Sequence, residues 1–387
     1  MQKKLIVAAV AGALAAPLAI AQSNVTIYGI ADVGVEWGDS GFGNKFRVQS
    51  GQASGSRLGF KGSEDLGGGL KANFTLEMGF ALDNGQLTTH NSQTGNAQPG
   101  AAGSTVSNTA PTTTGTVIFA RQAWAGLSGN FGEVNLGRQY TPLFWVLLNS
   151  DPVGAGTGAT PFNLYLLGPH TTTLNTQSSR RARSDNSITY KTPTFGGFNA
   201  MALYSTGNEN NVNNTAEDDG REWGVNATWA GGPIWVGLGY QNIDGAVGAG
   251  TQNPETKNWA LGASYKFGMA KLFASYNAGK GTDNTGAEVQ KANVWSIGAN
   301  INAGPGYVSV TYTDLNDKLA ANADARLFGI GYNYPLSKRT DVYAFWSTIR
   351  NKSNSNYTIG SAVATNLSLS AAGEDPKALQ LGIRHAF

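Results

Sequence analysis

The sequence predicts an all-β fold, a closed 16-stranded antiparallel transmembrane β-barrel, from three observations. Apolar residues recur at every second position in segment after segment. The connections between those segments alternate between tight and long. The last nine residues, LQLGIRHAF, keep the alternation up to a terminal aromatic. Successive side chains of a strand point to opposite faces, so strict alternation marks a strand whose two sides meet different surroundings.

Sixteen segments carry the pattern, at 24–36, 56–63, 70–82, 117–128, 133–140, 186–193, 198–206, 221–230, 234–243, 257–267, 270–280, 292–301, 306–314, 326–334, 340–350 and 377–387. In LKANFTLEMGFAL, Leu70, Ala72, Phe74, Leu76, Met78, Phe80 and Leu82 form one face, and Lys71, Asn73, Thr75, Glu77 and Gly79 form the other. KNWALGASYKF sets Trp259, Leu261, Ala263, Tyr265 and Phe267 against small and polar residues. GPIWVGLGYQ sets Ile234, Val236, Leu238 and Tyr240 against Trp235, Gly237, Gly239 and Gln241.

Seven connections are tight: EDLGGG, GNFGE, PTFGG, AGGP, FGM, NAGPG and PLSKR, built from residues that turn a chain at low cost. The other eight are long and rich in Asn, Thr, Ser and Gly, among them 83–116, 141–185 and 351–376. A soluble β-sandwich has no need of this asymmetry. An up-and-down barrel in an outer membrane shows it, with short periplasmic turns and long extracellular loops. An even strand count places both termini on the periplasmic side. A sheet in a bilayer has no water for its edge groups, so the last strand must pair with the first. Phe387 then ends a strand at the membrane interface, where ring side chains are favoured.

The first 21 residues have Lys3 and Lys4, an apolar run from Leu5 to Ala16, and a small-residue Ala19-Ile20-Ala21 ending. That is the layout of a secretory signal peptide, which leaves 22–387 as the barrel. Without Lys3 and Lys4, the 27 basic residues become 25 against 25 acidic ones, a net charge of zero. Bulk charge therefore gives no reason to expect a nucleic-acid partner. There is no cysteine, which excludes a small disulfide scaffold.

Several stretches resemble the general diffusion porins of Gram-negative outer membranes, in particular those of β-proteobacterial type. They are Val25-Thr26-Ile27-Tyr28-Gly29, the run from Ser56 to Gly67, Arg121-Gln122-Ala123-Trp124-Ala125-Gly126-Leu127, Leu136-Gly137-Arg138-Gln139 and the terminal Phe387. The resemblance implies a homotrimer of sixteen-stranded barrels, each with its third long loop folded inward to narrow the pore. It also implies a C-terminal strand read by the barrel-insertion machinery, outer-membrane lipid and lipopolysaccharide as surroundings, and small anionic or neutral solutes as cargo.

Charges on the inner column then decide selectivity. Outward Leu58 and Phe60 put Arg57 and Lys61 inside; outward Trp124 puts Arg121 inside; outward Ile188 and Tyr190 put Lys191 inside; outward Ile383 puts Arg384 inside. The matching acids are Asp32, Glu36, Glu77 and Glu222. Loop three, 141–185, has Asp151 as its one acid before Asp185, and Arg180, Arg181 and Arg183 near its end. Guanidinium groups stay charged at any working pH, and charges between low-dielectric walls focus the field, so the expected preference is for anions. The alternative for each arginine is a solvated rim charge. Alternation aims Arg138 outward, whereas the resemblance aims it into the pore; a bulge before loop three would reconcile them.

Tyr140, Phe144 and Trp145 are expected to pack loop three against the wall, with an aromatic slide for a ligand as the other reading. Glu217-Asp218-Asp219-Gly220 fits no standard calcium loop, and neither metal nor cofactor is expected. His90, His170 and His385 stand in no catalytic setting, and HExxH, GxSxG and phosphate-loop patterns are absent, so the chain does not read as an enzyme. The competing function is a substrate-specific channel or a surface receptor or adhesin on the same barrel.

Overall fold

A computed structural model describes residues 24–87, 118–165, 182–207, 221–244, 255–283, 285–360 and 367–387. The proposed leader, His90, His170, Arg180, Arg181 and the 217–220 acidic run lie outside them.

The strands, in chain order, are β1 (Asn24–Asp39), β2 (Lys45–Ser50), β3 (Arg57–Gly67), β4 (Leu70–Gly79), β5 (Gln122–Gly129), β6 (Gly132–Tyr140), β7 (Arg183–Lys191), β8 (Phe198–Ser205) and β9 (Glu222–Gly231). They continue with β10 (Ile234–Asp244), β11 (Glu255–Phe267), β12 (Ala270–Thr282), β13 (Glu288–Ala303), β14 (Gly306–Asp317), β15 (Ala325–Pro335), β16 (Thr340–Asn351) and β17 (Lys377–Ala386). Among the described residues, one helix, α1 (Pro142–Asn149), and one 3-10 turn at Pro161–Asn163 follow β6.

From β3 to β17 each strand pairs antiparallel with the next, and β17 pairs with β1 from Ile30↔Ala386 to Asp39↔Lys377. The backbone of Phe387 exchanges two hydrogen bonds with Gly29, at 3.0 and 3.1 Å, so the sheet closes without an edge. The barrel has sixteen staves, as the alternation predicts. The seventeenth strand arises because the second stave is broken.

That break corrects the expectation of one long loop over 37–55. β2 pairs with the upper half of β1 through Val33↔Ser50, and β3 pairs with its lower half through Ile30↔Arg57. Between these pairs β1 advances three residues and its partner seven, so four residues are extra and 51–56 bulges off the ladder. Asp32 fills the gap behind it. Its carboxylate accepts from the backbone N–H groups of Gln52 (3.1 Å), Ala53 (3.2 Å) and Ser54 (2.8 Å) and from the Tyr343 hydroxyl (2.7 Å).

The wall is polar inside and apolar outside, the inverse of a soluble protein. Ile27, Phe198 and Phe267 are more than 60% exposed, whereas inward Gln241, Thr311 and Gln380 are fully covered. Outward rings also meet across strands in a course that runs from β9 to β16. Trp223–Tyr240, Trp259–Tyr276, Trp295–Tyr312 and Phe328–Trp346 have centroids 5.0–6.1 Å apart, an aromatic belt at one membrane interface. At the opposite end the turns are tight. Gly67, Gly68 and Gly69 all have positive φ (86°, 62° and 81°), a conformation open to glycine and costly for other residues.

One facing was misread from alternation. Trp124 pairs with Thr75, between Gln122↔Glu77 and Gly126↔Asn73, so it points inward with Glu77. Ala123, Ala125 and Leu127 make up the outward column instead. The largest apolar side chain of the segment suggested the lipid face, but the lumen here has room for an indole. Arg121 still reaches the lumen, because β5 starts only at Gln122 and Arg121 precedes the alternation.

Candidate channel constriction

Loop three enters the barrel because the end of β6 is gripped from three sides. The Tyr140 ring stacks on Phe144 (centroids 4.8 Å apart, planes 9° apart) and lies under the Arg183 guanidinium, 4.3 Å from its centroid. Its hydroxyl accepts from Arg183 Nη2 at 2.6 Å and from Arg121 Nη2 at 3.0 Å. Thr141 then caps α1, its hydroxyl accepting from Phe144 N, and Pro142 occupies the first turn, where its missing N–H costs nothing.

α1 buries Leu143, Val146 and Leu147 completely against β9, β10 and β11. The wall there is made of glycines. A Cβ on Gly239 would stand 3.1 Å from Val146 Cγ2 and 3.2 Å from Leu143 Cα, and one on Gly262 would stand 2.8 Å from Ser150 Oγ. Further on, Pro152 crosses Gly298 (2.7 Å) and Ala159 crosses Gly329 (2.3 Å). Asn300 Nδ2 donates to the Pro152 carbonyl at 2.9 Å, and Gly158 N donates to Gln380 Oε1 at 2.7 Å. Loop three is thus laid in a trough of missing side chains that runs from β10 to β15 and is tied down at β17.

Asp151 sits at the turn after α1, only 4% exposed. Its carboxylate accepts from Val153 N (2.8 Å), Ala155 N (2.7 Å) and Thr160 Oγ1 (2.7 Å). It lines a small cavity, but the oxygens organise the loop itself rather than face a passing ion. Burial pushes its pKa up to about 6, against those hydrogen bonds, which pull it down.

Opposite the loop the lumen is basic. Glu77 Oε1 accepts from Arg121 Nε at 2.7 Å, and Oε2 accepts from the Tyr28 hydroxyl at 3.0 Å. Arg57 Nε donates to the Gly55 carbonyl at 2.8 Å, and no carboxylate among the described residues pairs with it. Lys61 lies 5.2 Å from the Tyr28 ring centroid, also without an ion pair among the described residues. Arg57, Arg121, Arg183 and Glu77 therefore form a group of three guanidiniums and one carboxylate around Tyr28 and Tyr140.

The other inward acids are engaged. Glu36 pairs with Arg47 and accepts from Gln380, Glu222 accepts from Gln241, and Asp341 pairs with Arg384, which also donates to Ser54 Oγ. The ladder does shift at Arg138: Gly137↔Ser187 is followed by Gln139↔Ser184, which places an extra residue on β7, where Asn186 has φ +48°. Arg138 itself is 8% exposed, donates to the Ala120 carbonyl at 2.6 Å and is ion-paired with Asp185.

The Asp32 knot, the glycine trough and the role of Tyr140 were missed from sequence. Glycines recurring on the inner column of successive hairpins were the available signal for the trough. Tyr140 and Phe144 do pack, at 8% and 7% exposure, but Trp145 is 38% exposed toward the lumen.

A profile of Gram-negative porins matches residues 7–354. Outer membrane porin protein 32 of Delftia acidovorans is 35% identical over 391 residues, covering 100% of both chains. An outer membrane porin of Bordetella pertussis is 30% identical over 63% of this chain and 60% of its own. Among solved structures, an anion-selective porin from Comamonas acidovorans superposes with a TM-score of 0.75 at 32% identity, over 95% of this chain and 100% of that one. Vibrio cholerae OmpT in its trimer form shares the fold, with a TM-score of 0.60 at 16% identity.

Proposed function

Because the chain belongs to the Gram-negative porin family, an outer-membrane family of channels rather than enzymes, we propose that it forms a water-filled pore for small hydrophilic solutes and ions that prefers anions. The observation that carries the preference is the basic side of the constriction, three guanidiniums against one carboxylate, facing a loop whose Asp151 turns inward on its own backbone. Between low-dielectric walls, the uncompensated charge of Arg57 and Lys61 raises the local anion concentration and repels cations. The anion-selective relative from Comamonas acidovorans supports the same reading.

Arg57, Lys61, Arg121 and Arg183 act in this proposal as the selective group, with Glu77 as its internal counter-charge and Asp151 as the residue that shapes loop three. Arg138, Arg180 and Arg181 are proposed to add to the positive charge of the lumen, that of Arg138 being offset in part by its ion pair with Asp185. Reversal potential across a potassium chloride gradient tests the claim: the sign should be that of chloride, and a cation-selective sign refutes it.

The assembly is proposed to be a homotrimer in lipid and lipopolysaccharide, formed after removal of residues 1–21, with the Phe387-ended strand read by the insertion machinery. It takes no cofactor, binds no nucleic acid and has no catalytic role. Heat-modifiable mobility in gels reads the trimer directly, and mass of the purified chain reads the cleavage.

A further inference from the structure

Beneath α1, on the side of the short turns, the lumen widens into a cavity of about 330 Å3, within the size range of small-molecule sites. Three indoles from different elements line it: Trp124 of β5, Trp145 of α1 and Trp235 of β10. Trp235 lies over Gly237, where a Cβ would stand 2.9 Å from its ring, so the indole is spread along the wall. Neither Trp145 nor Trp235 gives its indole N–H to a protein acceptor among the described residues. Trp124 gives its own to Gln122 Oε1 at 3.3 Å.

The polar lining is rich in amides. Four asparagines each give one amide N–H to a neighbour: Asn135 to Glu133 Oε1, Asn149 to the Trp145 carbonyl, Asn199 to the Thr192 carbonyl and Asn226 to the Pro142 carbonyl, all at 2.7–2.8 Å. Each keeps its second N–H as well as its carbonyl oxygen. The carbonyl oxygens of Asn135 and Asn226 are buried and unpartnered. The lining therefore offers amide donors and acceptors together with two indole N–H groups, and its one acid, Glu133, is matched by one cation, Lys191. It suits a ligand that presents several hydroxyls and a face of polarised C–H groups, which the negative π face of an indole attracts.

We propose that this cavity is a subsite for a saccharide ring, held between tryptophan faces with its hydroxyls on the amide and indole N–H groups of the lining, on the periplasmic side of the constriction. The inference rests on the reading of the lumen as an open channel. Single-channel recording separates the two, since ion conductance without solute tests the channel and block by solute tests the subsite.

Maltose and glucose, added on the side of the short turns, should reduce the current saturably, and Trp145→Ala and Asn199→Leu should each raise the half-blocking concentration about fivefold. The same titration in detergent should shift tryptophan emission, which gives a readout even where a variant does not assemble. A linear fall equal to that caused by polyethylene glycol of matched size, block unchanged in both variants, or tighter block by benzoate than by maltose would each overturn the proposal.

Discussion

Replacing Gly329 by alanine tests whether missing side chains seat the constriction loop. Gly329 does not have a positive φ, so its backbone accepts alanine without strain. The new Cβ would stand 2.3 Å from Ala159 Cβ and 2.7 Å from Ala159 Cα. Carbon atoms need about 3.5 Å, so the loop must withdraw by about 1.2 Å. β15 cannot give way instead, because it is hydrogen-bonded to β14 and β16 along its length. If the loop lifts as a unit, the Gly158–Gln380 bond opens from 2.7 Å to about 3.9 Å, beyond hydrogen-bonding range. Overpacking costs about 1–3 kcal/mol and the lost bond about 1 kcal/mol, so the seated loop loses about 2–4 kcal/mol against displaced arrangements. Each 1.4 kcal/mol is about tenfold in population, enough to show as flicker between conductance levels. In planar bilayers Gly329→Ala should therefore give assembled but noisy channels, while the outward control Ile330→Ala stays quiet. A Gly329→Ala channel with wild-type conductance and wild-type noise refutes the seating argument.

Arg57→Glu reverses one of the unpaired charges at the constriction, and the chloride-to-potassium permeability ratio should fall severalfold in reversal-potential measurements. Tyr140→Phe removes the hydroxyl that accepts from Arg183 Nη2; at about 1–3 kcal/mol for that buried donor, the thermal midpoint of the assembled protein should drop visibly. The pKa of Asp151 is raised from 3.8 to about 6 by burial, so loop three is held best below about pH 4 and loosens as pH rises through 6. Channel noise should grow over that window in the wild type and lose its pH dependence in Asp151→Asn. Removal of Phe387 deletes the two backbone bonds to Gly29 and should lower the yield of folded barrel, read by heat-modifiable mobility.

The barrel was legible because a bilayer forces every strand to show oil on one face and water on the other, a period-two signal that survives in a single sequence. Leu76, Tyr265 and Ile383 fall on the column that alternation gives them. What was not legible depends on contacts distant in the chain. Nothing near Asp32 announces that its carboxylate will hold three amides of 52–54 and the hydroxyl of Tyr343, so the broken stave read as a loop. Trp124 was placed by its chemistry, although its register is set by Ala125 and Leu127 against the neighbouring strand. The lining of the lumen was foreseen only as columns of small and polar residues, and which glycines bear the loop depends on the loop's path.

The docking of loop three has a consequence for how the molecule is made. The loop is synthesised in the middle of the chain, yet its partners Gly329, Phe345 and Gln380 belong to the last three strands, and the Asp32 knot that shapes residues 51–56 waits for Tyr343. The aperture is therefore calibrated last, by the same residues that complete the cylinder. A half-built barrel has no finished eyelet, and a chain truncated before its final strands would lose the gauge of its opening along with the seal.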